Sequence, residues 1–139
     1  MKRLMLDTCI VCDMLYKAKK MDSKVFDMFD DYSCTLYASF ETLRELIVLF
    51  NNKKIRSKQW KKAQDVINTV TDDLDIRILP LRKEVADTYA NLVLNEALNH
   101  YDPSDHIIIS QAITEKIPLI SSDLKFPFYR EQGLDLIEC

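Results

Sequence analysis

The sequence predicts an α/β fold, a three-layer α/β/α sandwich with a central parallel sheet of about five strands. Short apolar runs alternate along the chain with longer segments of helical periodicity. This alternation is typical of a parallel sheet whose two faces are covered by helices. The 139 residues contain no repeat, no low-complexity tract and no linker, so we expect residues 1–139 to form a single domain.

Each strand is predicted from a short apolar run that is bounded by turn or helix signals. The five runs are residues 3–6, 34–38, 76–79, 117–121 and 134–137. Pro80 ends the third run because proline cannot donate to a strand ladder, and Gly133 provides a turn before the last.

Helices are predicted between these strands. They cover about residues 8–18, 22–31, 40–52, 57–73, 82–99 and 103–116. Ser39 is a suitable N-cap for the third helix, since its hydroxyl can accept a free backbone N–H. Asp102 followed by Pro103 is a strong start for the last helix, because proline fits the first helical position.

Charge and composition limit the function. The net charge is −3, so no overall positive field attracts nucleic acid. The single glycine, Gly133, excludes the glycine-rich loops that hold nucleotide phosphates. Asp7 and Asp13 interrupt the apolar amino terminus, and no run approaches the roughly 20 apolar residues of a spanning helix. We therefore expect a cytoplasmic protein without membrane association.

The cysteines and histidines do not form a recognisable metal motif. Free thiols are the default in a reducing compartment, and we expect them at Cys9, Cys12, Cys34 and Cys139. A zinc site at Cys9-x-x-Cys12 would need two more ligands at suitable spacing, whereas a thioredoxin-like redox motif stays open. Two histidines are too few for most histidine-built metal sites.

Acidic side chains follow two of the predicted strands. Asp7 follows the first strand directly, and Asp123 follows the fourth by two residues. Parallel strands end at one edge of the sheet, where ligands bind in folds of this kind. Asp105 precedes apolar positions 108, 109 and 112 on one helix stripe, with Asp102 one turn earlier. A carboxylate on such a stripe is costly unless it is paired or binds a metal.

Each of these acids also has a purely structural interpretation. Asp7 and Asp123 can cap the helical turns that follow them, and Asp102 and Asp105 can serve as an N-cap and its third-position acid. Taken together, they concentrate negative charge at one sheet edge with no evident Lys or Arg to neutralise it. Oxygen ligands without His or Cys nearby favour Mg²⁺ or Mn²⁺ over zinc.

A basic segment lies between residues 51 and 64 and contains no acid. Its cations are Lys53, Lys54, Arg56, Lys58, Lys61 and Lys62. They can contact RNA phosphates while Trp60 stacks on a base, or they can form a solvated helix face with Trp60 packed inward. Arg44 and Lys125 are close in sequence to proposed ligands, and either phosphate contact or plain surface charge explains them.

Four motifs in order resemble the PIN-domain family, and specifically VapC-type toxin ribonucleases of type II toxin–antitoxin systems. Met5-Leu-Asp7-Thr-Cys9 resembles the motif at the first strand. Ser39-Phe-Glu-Thr-Leu-Arg-Glu45 resembles the second motif, and His100-Tyr-Asp-Pro-Ser-Asp105 resembles the Asp-Pro-Phe-Asp-Arg motif. Pro118-Leu-Ile-Ser121-Ser-Asp123 resembles the closing strand. The resemblance runs from residue 3 to about 137, with Ser104 in place of a usual aromatic residue and His106 in place of a usual arginine.

The resemblance implies a PIN-type sheet and metal-dependent hydrolysis of an RNA phosphodiester. It implies Asp7, Glu45, Asp105 and Asp123 as catalytic residues, and Asp7, Asp105 and Asp123 as ligands of Mg²⁺ or Mn²⁺. Glu45 then orients the attacking water or completes the outer shell, to which Asp102 is a possible addition. From its position on the helix alone, Glu45 is a solvated surface acid, so its role rests on the resemblance. A homodimer and a small antitoxin protein are also implied.

Thr8 and Ser121 lie beside two of the proposed ligands. They can hydrogen-bond carboxylates or phosphate, and helix capping is an equally good interpretation of both hydroxyls. Two other functions remain as alternatives. A receiver-type phosphoacceptor domain would need an accepting Asp after the third strand, where the chain reads Pro80-Leu-Arg. A non-catalytic PIN-like module that binds RNA or protein would be signalled by loss of a ligand carboxylate, and all are present.

Overall fold

Parallel strands form the centre of the molecule. The structure is a computed structural model and describes residues 2–16, 27–29 and 33–139. Within these residues there are five strands: β1 (Lys2–Leu6), β2 (Cys34–Ser39), β3 (Arg77–Leu79), β4 (Leu119–Ser121) and β5 (Leu136–Glu138). They form one sheet in the order β3-β2-β1-β4-β5, and every pairing is parallel. The receiver order is 2-1-3-4-5, so the structure excludes that alternative.

Helices cover the sheet on both faces. The described α-helices are α1 (Thr8–Leu15), α2 (Phe40–Asn51), α3 (Ala63–Asn68), α4 (Lys83–Ala90) and α5 (Pro103–Glu115). A π-helical turn at Thr69–Asp73 continues α3, and 3₁₀ turns lie at Glu96–Leu98 and Pro127–Gln132. No helix among the described residues is long and apolar enough to cross a membrane.

The core has two halves, one on each face of the sheet. Successive strand side chains point to opposite faces, so Leu4 and Leu6 of β1 pack with α1–α3, and Met5 packs on the other face with α5. Ile108 and Ile109 of α5 are fully buried in the second half. The predicted three-layer sandwich is therefore confirmed.

The predicted helix over residues 57–73 is wrong in its first part. The chain forms turns up to Lys62, and α3 begins only at Ala63. Asp65 Oδ2 accepts the backbone N–H groups of Lys61 at 2.8 Å and of Lys62 at 3.0 Å, which caps the helix at that point. Ile55 and Trp60 of this segment are buried in the core, and their packing determines the path of the chain between α2 and α3.

The predicted helix over residues 82–99 ends early, at Ala90. The Gln132 side chain accepts the backbone N–H of Val93 at 2.8 Å and donates to its carbonyl at 2.9 Å. The N–H of Asn95 donates to the Tyr129 hydroxyl at 3.1 Å. These tertiary bonds satisfy backbone groups that a continuous helix would have used.

Two predicted helices extend into residues that the structure does not describe. The helix predicted at 22–31 lies mostly outside the described residues, and within it residues 27–29 are helical. The helix predicted at 8–18 is observed as Thr8–Leu15, and residues 17 and 18 lie outside the described residues.

Candidate metal centre at the strand ends

A pocket at the carboxyl edge of the sheet contains every proposed acidic residue. Its acidic lining residues are Asp7, Asp13, Glu45, Asp102, Asp105 and Asp123. We call these six side chains the acidic pocket. β1 and β4 are neighbours in the sheet, and the chain leaves them toward opposite sides. This is the position at which folds of this type bind ligands.

Asp7 and Asp123 are tied together by Ser121. Asp7 is 4% exposed, and its Oδ1 accepts the N–H of Thr8 at 2.8 Å, as a cap of α1. Its Oδ2 accepts the Ser121 hydroxyl at 2.7 Å and the Cys9 thiol at 3.2 Å. The same Ser121 oxygen accepts the N–H of Asp123 at 3.1 Å. Asp7 therefore caps a helix and lines the pocket at the same time.

Glu45 reaches the pocket through a contact with α1. The Thr8 hydroxyl donates to Glu45 Oε1 at 2.6 Å and lies 3.0 Å from the Thr42 hydroxyl. The expectation from helix position alone, a fully solvated acid, is wrong because Glu45 is partly buried. Thr8 here hydrogen-bonds a carboxylate, which is one of its two predicted roles.

Glu41 lies one turn before Glu45 and belongs to a separate network. Its side chain is buried, paired with Arg44, and accepts the Ser104 hydroxyl at 3.0 Å. Arg44 also donates to Ser104 at 2.9 Å. Ser104 thus joins α2 to the first turn of α5. Arg44 is committed to these two residues, so surface charge does not describe it fully.

His100 is a neighbour of Asp105 that sequence reasoning missed. Its Nε2 lies 2.9 Å from Asp105 Oδ2, and its side chain is 1% exposed. The expectation of a site without His or Cys nearby is therefore wrong, for His100 and also for Cys9. His100 precedes Asp105 by five residues across the Asp102-Pro103 helix start. That spacing has no standard periodicity, so the sequence carried no clear signal.

Asp102 and His106 both belong to the start of α5. Asp102 is the N-cap of α5, and its side chain accepts the N–H of Ser104 at 3.0 Å, as the capping interpretation predicted. It also lines the acidic pocket. His106 is buried, and its Nε2 lies 2.9 Å from the His100 carbonyl oxygen. His106 therefore supports the fold of this segment and does not face the pocket.

The acids raise one another's pKa values. Burial raises the pKa of Asp7, and the Asp123 charge adds to the effect. Burial also raises the pKa of Glu45, with smaller contributions from Asp102 and Asp7. The pKa of Asp105 rises to about 8, first because of burial and then because of the charges of its acidic neighbours. Without a cation, the pocket favours protonated carboxyls.

The donor set fits a divalent cation. Within the described residues, no Lys or Arg forms a salt bridge with Asp7, Glu45, Asp105 or Asp123. One nitrogen or oxygen atom from each of His100, Asp105 and Asp123 lies within 4.8 Å of the others. The carboxylate oxygens among them are ligands that Mg²⁺ and Mn²⁺ accept.

The cysteines of the pocket are protonated thiols. Burial raises the pKa of Cys9 to about 12, with Asp7 adding to the effect, and burial raises that of Cys12 to about 11. Cys9, Cys12 and Cys139 carry free thiols, as predicted. Since the thiolate is the reactive form, these pKa values argue against the thioredoxin-like motif.

The basic segment has exposed cations and a buried tryptophan. Lys53, Lys54, Arg56, Lys58, Lys61 and Lys62 are all exposed. Trp60 is 8% exposed, and its Nε1 donates to the Thr69 hydroxyl at 3.0 Å. The base-stacking interpretation of Trp60 is therefore wrong, and the inward-packed one holds. Lys125 is partly buried, and its backbone N–H donates to Asp123 Oδ1 at 2.9 Å.

The chain is thus an α/β protein with a parallel sheet and an acidic pocket at the carboxyl edge of that sheet. The PIN domain family matches residues 4–131, and the chain belongs to this family. No curated protein matches the chain in sequence.

Solved structures of toxin–antitoxin proteins have a similar fold. VapBC2 from Rickettsia felis, bound to a DNA fragment from its promoter, is 22% identical with a TM-score of 0.72, covering 98% of both chains. VapBC-1 from nontypeable Haemophilus influenzae is 23% identical with a TM-score of 0.70, covering 98% of this chain and 97% of that one. VapBC-5 from Mycobacterium tuberculosis, a member of the VapBC family of toxin–antitoxin systems, is 18% identical with a TM-score of 0.67, and both chains are covered completely.

Proposed function

We propose that this PIN domain is a Mg²⁺- or Mn²⁺-dependent endoribonuclease and the VapC-type toxin of a toxin–antitoxin pair. The acidic pocket carries the proposal. Asp7, Glu45, Asp105 and Asp123 converge there without a Lys or Arg partner among the described residues. Such a group is costly to bury unless a cation compensates its charge.

The acidic side chains of the pocket have different proposed roles in phosphodiester hydrolysis. A bound divalent cation supplies Lewis-acid polarisation of the phosphate and lowers the pKa of a water molecule. Asp7, Asp105 and Asp123 would hold the cation. The Ser121 hydroxyl, which bonds the Asp7 carboxylate and the Asp123 backbone, would fix the relative positions of these two acids. Glu45, fixed by Thr8, orients the attacking water. Burial raises the pKa of Glu45.

The basic segment offers a path for the RNA backbone. The N–H of Lys54 donates to the carbonyl of Leu49 at 2.8 Å, and Leu49 lines the pocket. Cations on this side can attract phosphates that the acidic pocket repels. We assign phosphate contact to Lys53, Lys54, Arg56, Lys61 and Lys62, and to Lys125 beside Asp123.

Cleavage of total RNA tests the activity. We expect purified protein to cut RNA with Mg²⁺ or Mn²⁺, and EDTA or Asp7→Asn to abolish cutting. Asp135→Asn is the matched control, because Asp135 is exposed and precedes β5 at the opposite edge of the sheet. Equal cutting in EDTA, in Asp7→Asn and in the wild type would overturn the proposal. Binding of RNA without any cutting would favour the non-catalytic module.

The toxin assignment needs a partner as well as an activity. The similar structures of toxin–antitoxin proteins support a small antitoxin as partner. We propose that this antitoxin covers the acidic pocket and that the chain forms a homodimer, as the family resemblance implies. We expect expression of the chain alone to arrest growth, and Asp7→Asn to relieve the arrest. Co-expression with a short protein encoded beside it should restore growth and give one complex on gel filtration. Growth arrest that Asp7→Asn leaves unchanged would contradict a nuclease toxin.

A further inference from the structure

The imidazole of His100 lies behind Asp105, away from the pocket opening. It is 1% exposed and is absent from the pocket lining, whereas Asp105 lines the pocket and is 19% exposed. Its Nε2 lies 2.9 Å from Asp105 Oδ2, and its Nδ1 lies 2.9 Å from the Tyr129 hydroxyl. His100 therefore joins the buried Tyr129 to a proposed metal ligand.

The hydrogen bonds around Tyr129 decide which nitrogen of His100 carries the proton. The N–H of Asn95 donates to the Tyr129 oxygen at 3.1 Å. The Tyr129 hydroxyl is buried, and among the described residues His100 Nδ1 is the acceptor within reach of its proton, so this O–H donates to Nδ1. In the neutral ring the proton is consequently on Nε2, and that N–H donates to Asp105 Oδ2.

The ring and backbone of His100 are held from other sides as well. The Nε2 of His106 lies 2.9 Å from the His100 carbonyl oxygen. The His100 ring packs on the rings of His106 at 4.8 Å and of Phe126 at 5.6 Å between centroids. Because these contacts restrict both the backbone and the ring, the donated N–H has a fixed direction.

We propose that His100 is a positioning residue that holds Oδ2 of Asp105 and leaves Oδ1 directed toward the cation. This inference rests on the proposed function. A histidine nitrogen must be unprotonated to ligate a metal, and here Nε2 carries the proton. His100 therefore acts through Asp105 and is not itself a ligand. A hydrogen bond to a ligating carboxylate typically changes metal affinity about 10- to 100-fold.

Two variants of His100 separate positioning from ligation. The amide of His100→Gln can reach the place of Nε2 and donate to Asp105, whereas the shorter amide of His100→Asn reaches only the place of Nδ1. We expect the Mn²⁺ dissociation constant, measured by electron paramagnetic resonance, to stay within a few-fold of wild type in His100→Gln. In His100→Asn we expect it to rise about 10- to 100-fold.

Each outcome of this experiment bears on one of the two proposals. Unchanged affinity in His100→Asn would overturn the positioning role. An equal loss in both variants would also overturn it, and would favour direct ligation by His100. If the wild type binds no Mn²⁺ at all, the proposed metal-dependent function itself fails.

A measurement on the wild-type protein does not depend on how the variants fold. Long-range ¹H–¹⁵N correlation spectra distinguish the two tautomers of a histidine, and His106→Gln would assign the two rings. We expect the Mg²⁺-loaded protein, in which Asp105 is ionised, to show the Nε2–H tautomer at His100. The Nδ1–H tautomer would contradict the proposal.

Discussion

The acidic pocket and the basic segment each bring like charges together, but most of the acidic side chains are at least partly buried and the basic ones are exposed. Asp7 and Asp105 are mostly buried, and both are hydrogen-bonded. The partner of Asp7 is Ser121, and the partner of Asp105 is His100. The cations of residues 53–62 are all exposed, and the segment is anchored instead by the apolar side chains of Ile55 and Trp60.

Solvent explains the difference between the two regions. Water screens exposed charges, so six neighbouring cations cost little free energy. Buried carboxylates lose that screening and repel one another, which is why the pKa of Asp105 rises to about 8. On the proposed function, a cation in the pocket would offset this repulsion, whereas the exposed cations of the basic segment would attract phosphates only weakly.

The largest expected effect is on cleavage by the pocket acids. Asp123→Asn should lower the cleavage rate at least about 100-fold, because a proposed ligand loses its charge. Glu45→Gln should lower it about 10-fold, since its role is to orient water from outside the ligand shell. Rates measured on one RNA at saturating Mn²⁺ compare the two, with Asp135→Asn as the control. A greater loss in Glu45→Gln than in Asp123→Asn would reverse the proposed division of roles.

The next effect concerns the stability of the metal-free protein against pH. The pKa of Asp105 is about 8 in the folded state and near 3.8 in the unfolded state, so folding favours the protonated form. This contribution to stability is complete below about pH 4 and is lost as pH rises toward 8. In EDTA at pH 8, the free energy of unfolding of Asp105→Asn should therefore exceed that of the wild type by on the order of 2 kcal/mol, and the variant should unfold at a higher temperature.

At about pH 3 the same two proteins should unfold at similar temperatures, because Asp105 is then largely protonated in both the folded and the unfolded state. Adding Mn²⁺ at pH 8 should stabilise the wild type and leave Asp105→Asn nearly unchanged. Thermal unfolding followed by circular dichroism measures both differences. If the unfolding temperatures of the two proteins change with pH in parallel, then the surroundings of Asp105 do not raise its pKa.

A smaller effect is expected from the basic segment. Lys61→Glu with Lys62→Glu should weaken binding of RNA to the metal-free Asp7→Asn protein several-fold and reduce its salt dependence. The control is Lys2→Glu with Arg3→Glu, an exposed pair at the start of β1, away from the pocket. Fluorescence anisotropy with a labelled RNA measures both. Equal weakening by the two pairs would mean that only net charge matters.

The smallest effect on RNA is expected at Trp60. Trp60→Phe should leave RNA affinity unchanged, because the indole is buried and donates to Thr69. It should lower the free energy of unfolding by about 1–3 kcal/mol, through a lost hydrogen bond and a small cavity. Urea denaturation and anisotropy check the two expectations. Weaker RNA binding with unchanged stability would instead support stacking of Trp60 on a base.

The parts of the site that sequence predicted are those set by local periodicity. Asp7 and Asp123 follow apolar strands, and the stripe of Ile108, Ile109 and Ala112 placed Asp105 on the inner face of α5. Strand order was not needed for this, because all parallel strands end at the same edge. The family resemblance supplied Glu45, which helix periodicity had assigned to solvent.

Other features depended on contacts between distant residues. The partner of Glu45 is 37 residues away, and the Ser121 bond to Asp7 spans 114 residues. The early end of α4 reflects the side chain of Gln132, and the late start of α3 reflects the burial of Trp60. Sequence patterns did not reveal His100 beside Asp105, because the turn between them follows no repeating period.

The sequence by itself determined a parallel α/β sheet with acidic residues at one edge, since apolar periodicity and the residues after strands are local properties. Tertiary structure decided what each acid contacts: Ser121 for Asp7, Thr8 for Glu45 and His100 for Asp105. The physical reason is that a hydrogen bond needs its two atoms within about 3 Å, and only packing brings distant residues that close.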